Sequence, residues 1–512
     1  MFQLFQRPTC PLLRDSSELM FSMNGKLYIF GIGGTGSRVI KSLVMLAASG
    51  VKIDASAIVP IIVDPDFANA DVTRTIEQIK AYVAIRSQLA FNDATKNRFF
   101  EIPIENVVND HRLALKDTKN KKFREFIEFS TMSKENRALA SMLFSEANLE
   151  SDMEVGFKGN PNIGSVVLNQ FTDSQDFIDF ADAFKPGDRI FIISSIFGGT
   201  GASGFPLLLK NLRGLDAKVS NNDAIQHAPI GAITVLPYFA VKTDEESTIN
   251  SSTFIGKTKA ALQYYERNVN GDESSVNVLY YIGDERTKQY ENEEGGTEQR
   301  NNAHIVELAA AISIVDFASI QNDDPILVCE ENSNGKIYAP NPDFREFGIE
   351  TDVQEVLFSN LTQSTRDYLC TPMTQFVLFA KYVNEHLRGA TSLQWARDNK
   401  FDDAFLKSSF INNIQKFVNS YIEWLEEMSD NDRAFKPFKL SVKSSDLYSI
   451  VDGVKPGSIK ALWAFNKSGY DLFDAALNEE HSSLSKNFTL PHKFTELFYN
   501  VTKLLVGKKY KF

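Results

Sequence analysis

The chain has 512 residues, 43% of them hydrophobic and 23% charged, with a formal net charge of −12. This length predicts two or three domains with their own cores, and this composition argues against a disordered chain. The acidic balance argues against a surface that coats nucleic acid, so we expect no nucleic-acid partner.

Three cysteines without metal-ligand spacing fit a reducing compartment. The sequence has no apolar run as long as the roughly 18 residues that a membrane helix needs, and its start does not resemble a secretory signal. We therefore expect a cytoplasmic protein without a membrane span.

Residues 1–24 are predicted to be an N-terminal extension, and the first structural unit follows them. Residues 26–31 form an apolar strand, the sequence GIGGTGS occupies 31–37, and the apolar residues that follow have helical spacing. A strand that ends at glycines and continues as a helix leaves unpaired N–H groups, which together with the helix dipole stabilise a phosphate. The sequence therefore predicts a phosphate-binding loop here.

A second buried strand is predicted at 58–63, and it ends in Asp64-Pro65-Asp66. Acidic side chains thus follow the carboxyl end of a strand, the edge at which open α/β sheets bind ligands. Residues 73–150 are mostly polar with helical patterning and predict a helical insertion. Residues 156–164 are dense in turn residues and predict another loop over the ligand.

The second glycine-rich loop, GGTGASG at 198–204, follows a predicted strand at 189–195. Residues 301–320 are apolar around most of a helical circumference and predict a buried axial helix between two domains. Strands become sparse beyond this helix. The remaining candidates are strands at 232–236, 276–282, 375–382 and 438–442 and helices at 257–267, 403–428 and 459–477.

This order of motifs resembles the nucleotide-binding half of the tubulin/FtsZ superfamily, and more specifically its bacterial tubulin-like members. The pair Asn301-Asn302 strengthens the resemblance, because the superfamily places a base-reading asparagine at the opening of this helix. The likeness covers roughly residues 25–325. It implies an α/β fold with a tubulin-like parallel-sheet GTP-binding domain at 25–300, a central core helix at 301–320 and an atypical, helix-rich α+β C-terminal domain at 321–512.

The second loop departs from the family signature GGGTGSG. Phe197 stands at the position of the first glycine, and Ala202 is inserted before Ser203. Residues 198–201 keep the glycines that suit close backbone approach to a phosphate. We expect the bulky Phe197 side chain to shift this loop.

The resemblance implies nucleotide contacts from both glycine loops, from the acidic turn and from the start of the axial helix. The implied residues are Gly33, Gly34, Thr35, Gly36 and Ser37 at the α- and β-phosphates, Asp64 and Asp66 near the phosphates or metal-bound water, Asn160 near the γ-phosphate, Gly198, Gly199, Thr200, Gly201 and Ser203 on the opposite side, and Asn302, with Asn301 as the alternative, at the guanine. The implied ligand is GTP or GDP, which can bind together with Mg²⁺. We predict no residues that would hold a metal ion by themselves.

Members of the superfamily complete GTP hydrolysis between subunits, through an acidic residue that follows the axial helix and orients water on the next subunit's nucleotide. By position, Asp323 and Asp324 take this catalytic role. The resemblance thus implies head-to-tail self-association, with filaments as its extended form and a protein effector as a further partner.

Other interpretations stay open. Gly31, Gly33 and Gly36 satisfy the dinucleotide fingerprint, with Asp64 as the ribose-binding acid. In dehydrogenases this acid is expected about 20 residues after the glycines, whereas Asp64 lies about 28 residues after Gly36. The first loop also resembles that of adenylating enzymes, which need downstream catalytic or zinc-binding cysteines. Neither enzyme class gives the second loop a role. A further alternative is a non-polymerising nucleotide-sensing scaffold in a bacterial defence or signalling complex.

Overall fold

The computed structural model of the protein describes residues 25–66, 68–92, 95–115, 118, 120–153, 157, 160–241, 251–269, 273–284, 289–290, 301–346 and 353–512. The predicted N-terminal extension at 1–24 lies outside the described residues, and so do Gly156, Lys158 and Gly159 of the predicted loop at 156–164. Within the described part of the chain, no helix has the length and apolar character needed to cross a bilayer.

Strands are concentrated in one sheet. In chain order they are β1 (Leu27–Ile32), β2 (Ile58–Val63), β3 (Arg189–Ser195), β4 (Ile230–Val235), β5 (Ala240–Val241), β6 (Val278–Ile282), β7 (Gln289–Tyr290), β8 (Glu330–Glu331), β9 (Ile337–Tyr338), β10 (Asp343–Glu346), β11 (Glu355–Val356) and β12 (Ala434–Phe435). The main sheet has the order β10-β6-β4-β3-β1-β2, with every neighbouring pair parallel. The chain order reverses between β1 and β3, and ligands bind such sheets at the carboxyl ends of the strands beside this switch point.

Helices cover both faces of this sheet and make up most of the C-terminal region. In chain order they are α1 (Gly33–Ala48), α2 (Ala70–Arg86), α3 (Phe123–Phe126), α4 (Lys134–Leu143), α5 (Glu146–Leu149), α6 (Pro161–Leu168), α7 (Gln175–Ala183), α8 (Gly199–Arg213), α9 (Asn222–Gln226), α10 (Ser251–Asn268), α11 (Ile305–Ala318), α12 (Gln363–Glu385), α13 (Gln394–Asp398), α14 (Asp403–Leu406), α15 (Ser409–Ser429), α16 (Gly469–Glu480) and α17 (Leu490–Lys509). The α/β fold with a helix-rich C-terminal region is as predicted.

Alternating residues of β1 enter two separate cores. Leu27 and Ile29 pack with α1 and α11, whereas Tyr28 and Phe30 pack with α7 and α8 on the opposite face. A strand buried on both sides reads as continuously apolar, because each face needs its own hydrophobic partners. The first core continues from α1 and α11 into the C-terminal helices α12 and α15.

The axial helix α11 is buried on nearly all sides, as its apolar circumference predicts. It spans 305–318 rather than 301–320, because the His304 side chain caps its start and Ser319 follows its last turn. The helix is about 21 Å long at 1.5 Å per residue.

Two strand predictions in the C-terminal region are wrong. Residues 375–382 lie inside α12 and are all buried. The centre of this run, residues 376–380, is apolar throughout, and such a short stretch has no period that distinguishes a strand from a buried helix. Residues 438–442 form no strand either, and Phe438 makes only an isolated bridge with Val451.

Candidate functional site

The two glycine loops meet at the switch point of the sheet. Gly33 ends the turn after β1 with φ +73°, a backbone conformation that glycine adopts without strain. A Cβ atom placed on Gly33 would lie 3.5 Å from the Thr200 Cβ and 3.9 Å from the Gly201 backbone nitrogen. Two loops that lie far apart in the sequence are therefore neighbours in space.

Helices α1 and α8 both begin at this meeting point without a side-chain cap. Their N-cap residues are Ile32 and Gly198, neither of which offers a side-chain acceptor to the first N–H groups. By contrast, Asn69 and Ser174 cap the starts of α2 and α7 with their side-chain oxygens. Two helix starts that present N–H donors and positive dipole ends to one cleft form a site suited to a phosphate chain.

Two of the glycines are required by packing as well. A Cβ on Gly36 would lie 2.5 Å from the Gly31 carbonyl carbon, and one on Gly201 would lie 2.5 Å from the Ser195 carbonyl oxygen. Any side chain at these positions would collide with backbone. Both glycines thus allow a helix to start directly against the end of its strand, which brings the N–H groups to the sheet edge.

The four hydroxyl groups predicted to contact the nucleotide differ in their surroundings. Ser37 is fully buried and its hydroxyl donates to Thr75 Oγ1 at 3.0 Å, and the Ser203 hydroxyl donates to the Gly199 carbonyl at 2.7 Å. These two hydroxyls are thus committed to contacts within the protein. Thr200 faces the Gly33 turn from the second loop, whereas Thr35 is buried and its hydroxyl accepts a hydrogen bond from Arg38 at 3.4 Å.

Asp64 and Asp66 form consecutive turns at the carboxyl end of β2. Asp64 Oδ1 accepts a hydrogen bond from the Asp66 backbone nitrogen, and Asp66 Oδ1 accepts one from Ala68, both at 3.0 Å. Burial raises the pKa of Asp64 to about 7. A carboxyl group that is partly protonated near neutral pH repels a neighbouring phosphate less than a fixed carboxylate does.

The Asp64 pKa predicts a pH-dependent effect of Asp64→Asn, which keeps the Oδ1 acceptor and removes the charge. The raised pKa stabilises the fold fully below about pH 4, and this contribution is lost as the pH rises through about 7. We expect the free energy of unfolding of the variant, relative to the parent, to increase by about 2 kcal/mol between about pH 5 and about pH 8. Urea unfolding at both pH values measures it.

Asp216→Asn is the matched control for this measurement. Asp216 Oδ1 accepts the same type of turn hydrogen bond, from Lys218 at 2.9 Å, but its side chain is exposed. Its substitution should show no comparable pH dependence. A pH-independent effect of Asp64→Asn would contradict the protonated state of Asp64.

Asn160 lies at the start of α6, next to the second glycine loop. It is the N-cap residue of α6 and is half-buried. Helix α6 packs closely on α8, since a Cβ on Gly164 would lie 2.2 Å from Ser203 Oγ. The structure thus brings Asn160 to the same edge of the sheet as the glycine loops.

The asparagine pair precedes α11 instead of opening it. The helix is capped by His304, whose Nδ1 accepts a hydrogen bond from the Val306 nitrogen at 3.1 Å. Burial lowers the pKa of His304 to about 4, which keeps the ring neutral and able to accept. Asn301 donates from its side chain to Asp71 Oδ2 at 2.9 Å, whereas Asn302 is exposed.

A buried charge cluster beside the first loop was not predicted from the sequence. The Arg38 guanidinium donates to Glu307 Oε1 at 2.5 Å, to Asp71 Oδ2 at 2.7 Å and to the Tyr238 hydroxyl at 2.8 Å. The Tyr238 hydroxyl donates in turn to Glu307 at 2.7 Å. Arg38 thus joins α1, α2, α11 and the segment after β4 next to the candidate phosphate site. The available signal was the presence of two charged residues on each of two otherwise apolar helices, Arg38 and Lys41 on α1 and Glu307 and Asp316 on α11, because buried charges need partners.

Glu427 of α15 extends this cluster into the C-terminal region. It forms ion pairs with Arg74 and Lys41, and its carboxylate accepts a hydrogen bond from the Ala303 nitrogen at 3.1 Å. The space left among these groups is only about 10 Å³, room for no more than a water molecule. Protein side chains therefore fill the space between Asn301 and the start of α11.

Phe197 does not intrude between the glycine loops. Its ring is buried and contacts the rings of Tyr238 and Phe239, with centroids 6.2 and 5.5 Å away. The bulky residue at the family's first glycine position is thus accommodated by aromatic packing after β4, and α8 still begins beside Gly33.

Asp323 and Asp324 lie at the opposite edge of the sheet from the glycine loops. Arg189, the first residue of β3, donates to the carbonyl oxygens of Phe317 and Ile320 at the end of α11. The start of α11, by contrast, contacts Arg38 near the carboxyl edge. Since α11 spans about 21 Å, these acids cannot reach the glycine loops of their own chain. Asp323 is exposed, and Asp324 Oδ1 accepts a hydrogen bond from Ile326 at 3.0 Å.

Among the described residues, no three or more His, Cys, Asp or Glu side chains gather as a metal site would require. Carboxylates of the Asp64 turn and hydroxyls of Thr35 and Thr200 are oxygen ligands of the kind that Mg²⁺ accepts together with phosphate oxygens.

The sequence matches no protein-family model and no curated protein. Solved structures that match include CetZ2 from Haloferax volcanii, a GTPγS-bound protofilament, with 12% identity over 59% of this chain and 61% of that chain at a TM-score of 0.28. TubZ from Bacillus thuringiensis serovar israelensis, a GTPγS-form protofilament, shares 14% identity over 78% and 80% of the two chains at a TM-score of 0.29.

FtsZ from M. jannaschii shares 13% identity over 51% of this chain and 47% of that chain, at a TM-score of 0.26. The matches span less than two thirds of the CetZ2 and FtsZ chains. The chain has an α/β parallel-sheet fold whose solved neighbours are tubulin/FtsZ superfamily proteins.

Proposed function

We propose that the protein binds GTP between its two glycine loops and assembles head to tail in a nucleotide-dependent manner. The observation that carries this proposal is the proximity of Gly33 to Thr200, since two helix starts without side-chain caps lie side by side there. A dinucleotide-binding or adenylating enzyme needs only the first loop. A triphosphate is long and charged enough to use the N–H donors of both loops, and the choice of guanine follows the resemblance carried by Asn301 and Asn302.

The identity of the bound nucleotide tests this proposal against the enzyme alternatives. The purified protein is denatured, and the released ligand is identified by chromatography against GTP, GDP, ATP and NAD standards. We expect GTP or GDP. Recovery of ATP or NAD would contradict the proposal and would favour an adenylating enzyme or a dehydrogenase.

Assembly is expected because the candidate catalytic acids and the cleft lie at opposite edges of one chain. In a head-to-tail contact, the exposed segment 321–323 after α11 of one subunit meets the glycine loops of the next, and such contacts continue into filaments unless they close into a ring. A nucleotide in the interface lets the γ-phosphate stabilise the contact and lets hydrolysis weaken it. Sedimentation with GTP, compared with GDP, measures assembly, and a stable small complex would favour the scaffold alternative.

Hydrolysis across the interface predicts complementation between two inactive variants. Asp323→Asn combined with Asp324→Asn keeps the turn acceptor and the nucleotide site but removes both carboxylates. Thr200→Trp fills the cleft but keeps both acids. Each protein alone should hydrolyse GTP about hundredfold more slowly than the parent.

Mixing the two proteins should restore part of the activity, because an intact cleft can meet intact acids at the mixed interface. Phosphate release is measured at a fixed total protein concentration over a range of ratios. Parental turnover in the aspartate variant alone, or no recovery at any ratio in mixed assemblies, would overturn the catalytic assignment.

A further inference from the structure

A lysine-rich surface lies at the C-terminal end of a chain that is acidic overall. Residues 453–469 contain three lysines and residues 497–512 contain four, and neither segment contains an aspartate or a glutamate. The formal net charge of the whole chain is −12. Such segregation of charge produces a local positive potential that the overall balance conceals.

The fold brings these two segments together. The Gly457 backbone nitrogen donates to the Lys509 carbonyl at 2.7 Å, and Lys508 Nζ lies 5.4 Å from the centre of the Trp463 ring. Lys455, Lys460, Lys467, Lys508 and Lys511 are all exposed. We call residues 453–469 and 508–512 the C-terminal basic surface.

Two large apolar side chains project from this surface. Leu462 is 98% exposed and Phe465 is 76% exposed, and they flank Ala464, which is buried and anchors the turn. Leu462 is the most exposed of the large hydrophobic side chains in the described part of the chain. Two neighbouring apolar side chains that are exposed to water among lysines match a partner that has an anionic surface above an apolar layer.

We propose that the C-terminal basic surface docks the protein on an anionic lipid bilayer, with Leu462 and Phe465 entering the headgroup region and the lysines facing the lipid phosphates. Combining an apolar insertion with several basic residues is how peripheral proteins reach stable membrane binding, because neither contribution suffices alone. A nucleic-acid duplex would attract the lysines but offers no apolar layer for Leu462 and Phe465. The bilayer matches both halves of the surface.

The proposal is independent of nucleotide binding and is tested on the full, nucleotide-free chain. Co-sedimentation is measured with vesicles of phosphatidylcholine alone and with vesicles that also contain phosphatidylglycerol. Each lysine near an anionic leaflet strengthens binding by about fivefold, so we expect binding to the anionic vesicles at least hundredfold tighter than to the neutral ones. High salt should weaken it.

Two double variants separate the contributions. Lys460→Glu with Lys467→Glu should weaken anionic-vesicle binding by about 25-fold or more. Leu462→Ser with Phe465→Ser should weaken it by about tenfold or more. Matched controls are Met142→Ser, which replaces a side chain that is 85% exposed on α4, and Lys134→Glu at the start of the same helix. Neither control should alter binding.

Tryptophan fluorescence supplies a direct readout of insertion. Trp395 and Trp424 are fully buried, whereas Trp463 is half-buried and adjoins Leu462. Lipids with bromine in the upper acyl chain should therefore quench Trp463 in bound protein. Equal binding to neutral vesicles, equal loss in the controls, unquenched Trp463, or binding to a DNA duplex but not to vesicles would each overturn the proposal.

Discussion

Replacing Arg38 with methionine is expected to lower the free energy of unfolding by about 3–5 kcal/mol, because it leaves Asp71 and Glu307 as buried carboxylates without their cation. Both acids are almost completely buried, at 2% and 1% exposure. Methionine retains the unbranched apolar stem, so the loss is mainly electrostatic. Urea unfolding monitored by circular dichroism measures it.

Arg124→Met is the matched control for Arg38→Met. Arg124 also bridges two carboxylates, Glu146 at 2.6 Å and Glu150 at 2.9 Å, but this group is at the surface. Exposed ion pairs contribute little, so its unfolding midpoint should hardly change.

A combined variant distinguishes lost charge pairing from lost packing at Arg38. Arg38→Met together with Asp71→Asn and Glu307→Gln removes all three charges, and it should recover most of the stability lost in Arg38→Met alone. If the triple variant is no more stable than the single one, the cluster does not act through charge compensation.

Thr200→Trp is expected to weaken GTP binding by about hundredfold or more. The Thr200 Cβ lies 3.5 Å from the position that a Cβ on Gly33 would take, so an indole group at residue 200 occupies the gap between the loops where the phosphates would lie. Loss of two or more charge-assisted hydrogen bonds accounts for this magnitude. Calorimetric titration with GTP measures the dissociation constant.

Ser409→Trp provides the control for a tryptophan in the first turn of a helix. Ser409 is exposed at the start of α15, away from both glycine loops. The control should bind GTP as the parent does. Unchanged affinity in Thr200→Trp, with normal thermal unfolding, would mean that the second loop does not contact the nucleotide.

The sequence was sufficient to predict five of the six strands of the main sheet and the glycine turns that follow β1 and β3, but not the edge strand β10. Glycines at 31–36 and 198–204 mark abrupt changes from strand to helix. Such turns are recognised from the local sequence alone, without knowledge of tertiary contacts. The apolar circumference of residues 301–320 likewise predicted a buried helix, and the structure has this helix at 305–318.

The details that depend on tertiary contacts could not be predicted. Arg38 has its partners on α2, α11 and the segment after β4, and no local pattern relates these positions. The run 375–382 was predicted as a strand because its apolar character fits either structure, and only its neighbours in the helical bundle decide. The roles assigned to the nucleotide-contacting residues stay predictions.

A structure determined with bound GTPγS tests most directly whether the two loops share one ligand. We expect a single nucleotide per chain, with phosphate oxygens accepting hydrogen bonds from backbone N–H groups at the start of α1 and at the start of α8. A nucleotide bound elsewhere, or one that contacts only the first loop, would contradict the proposed site.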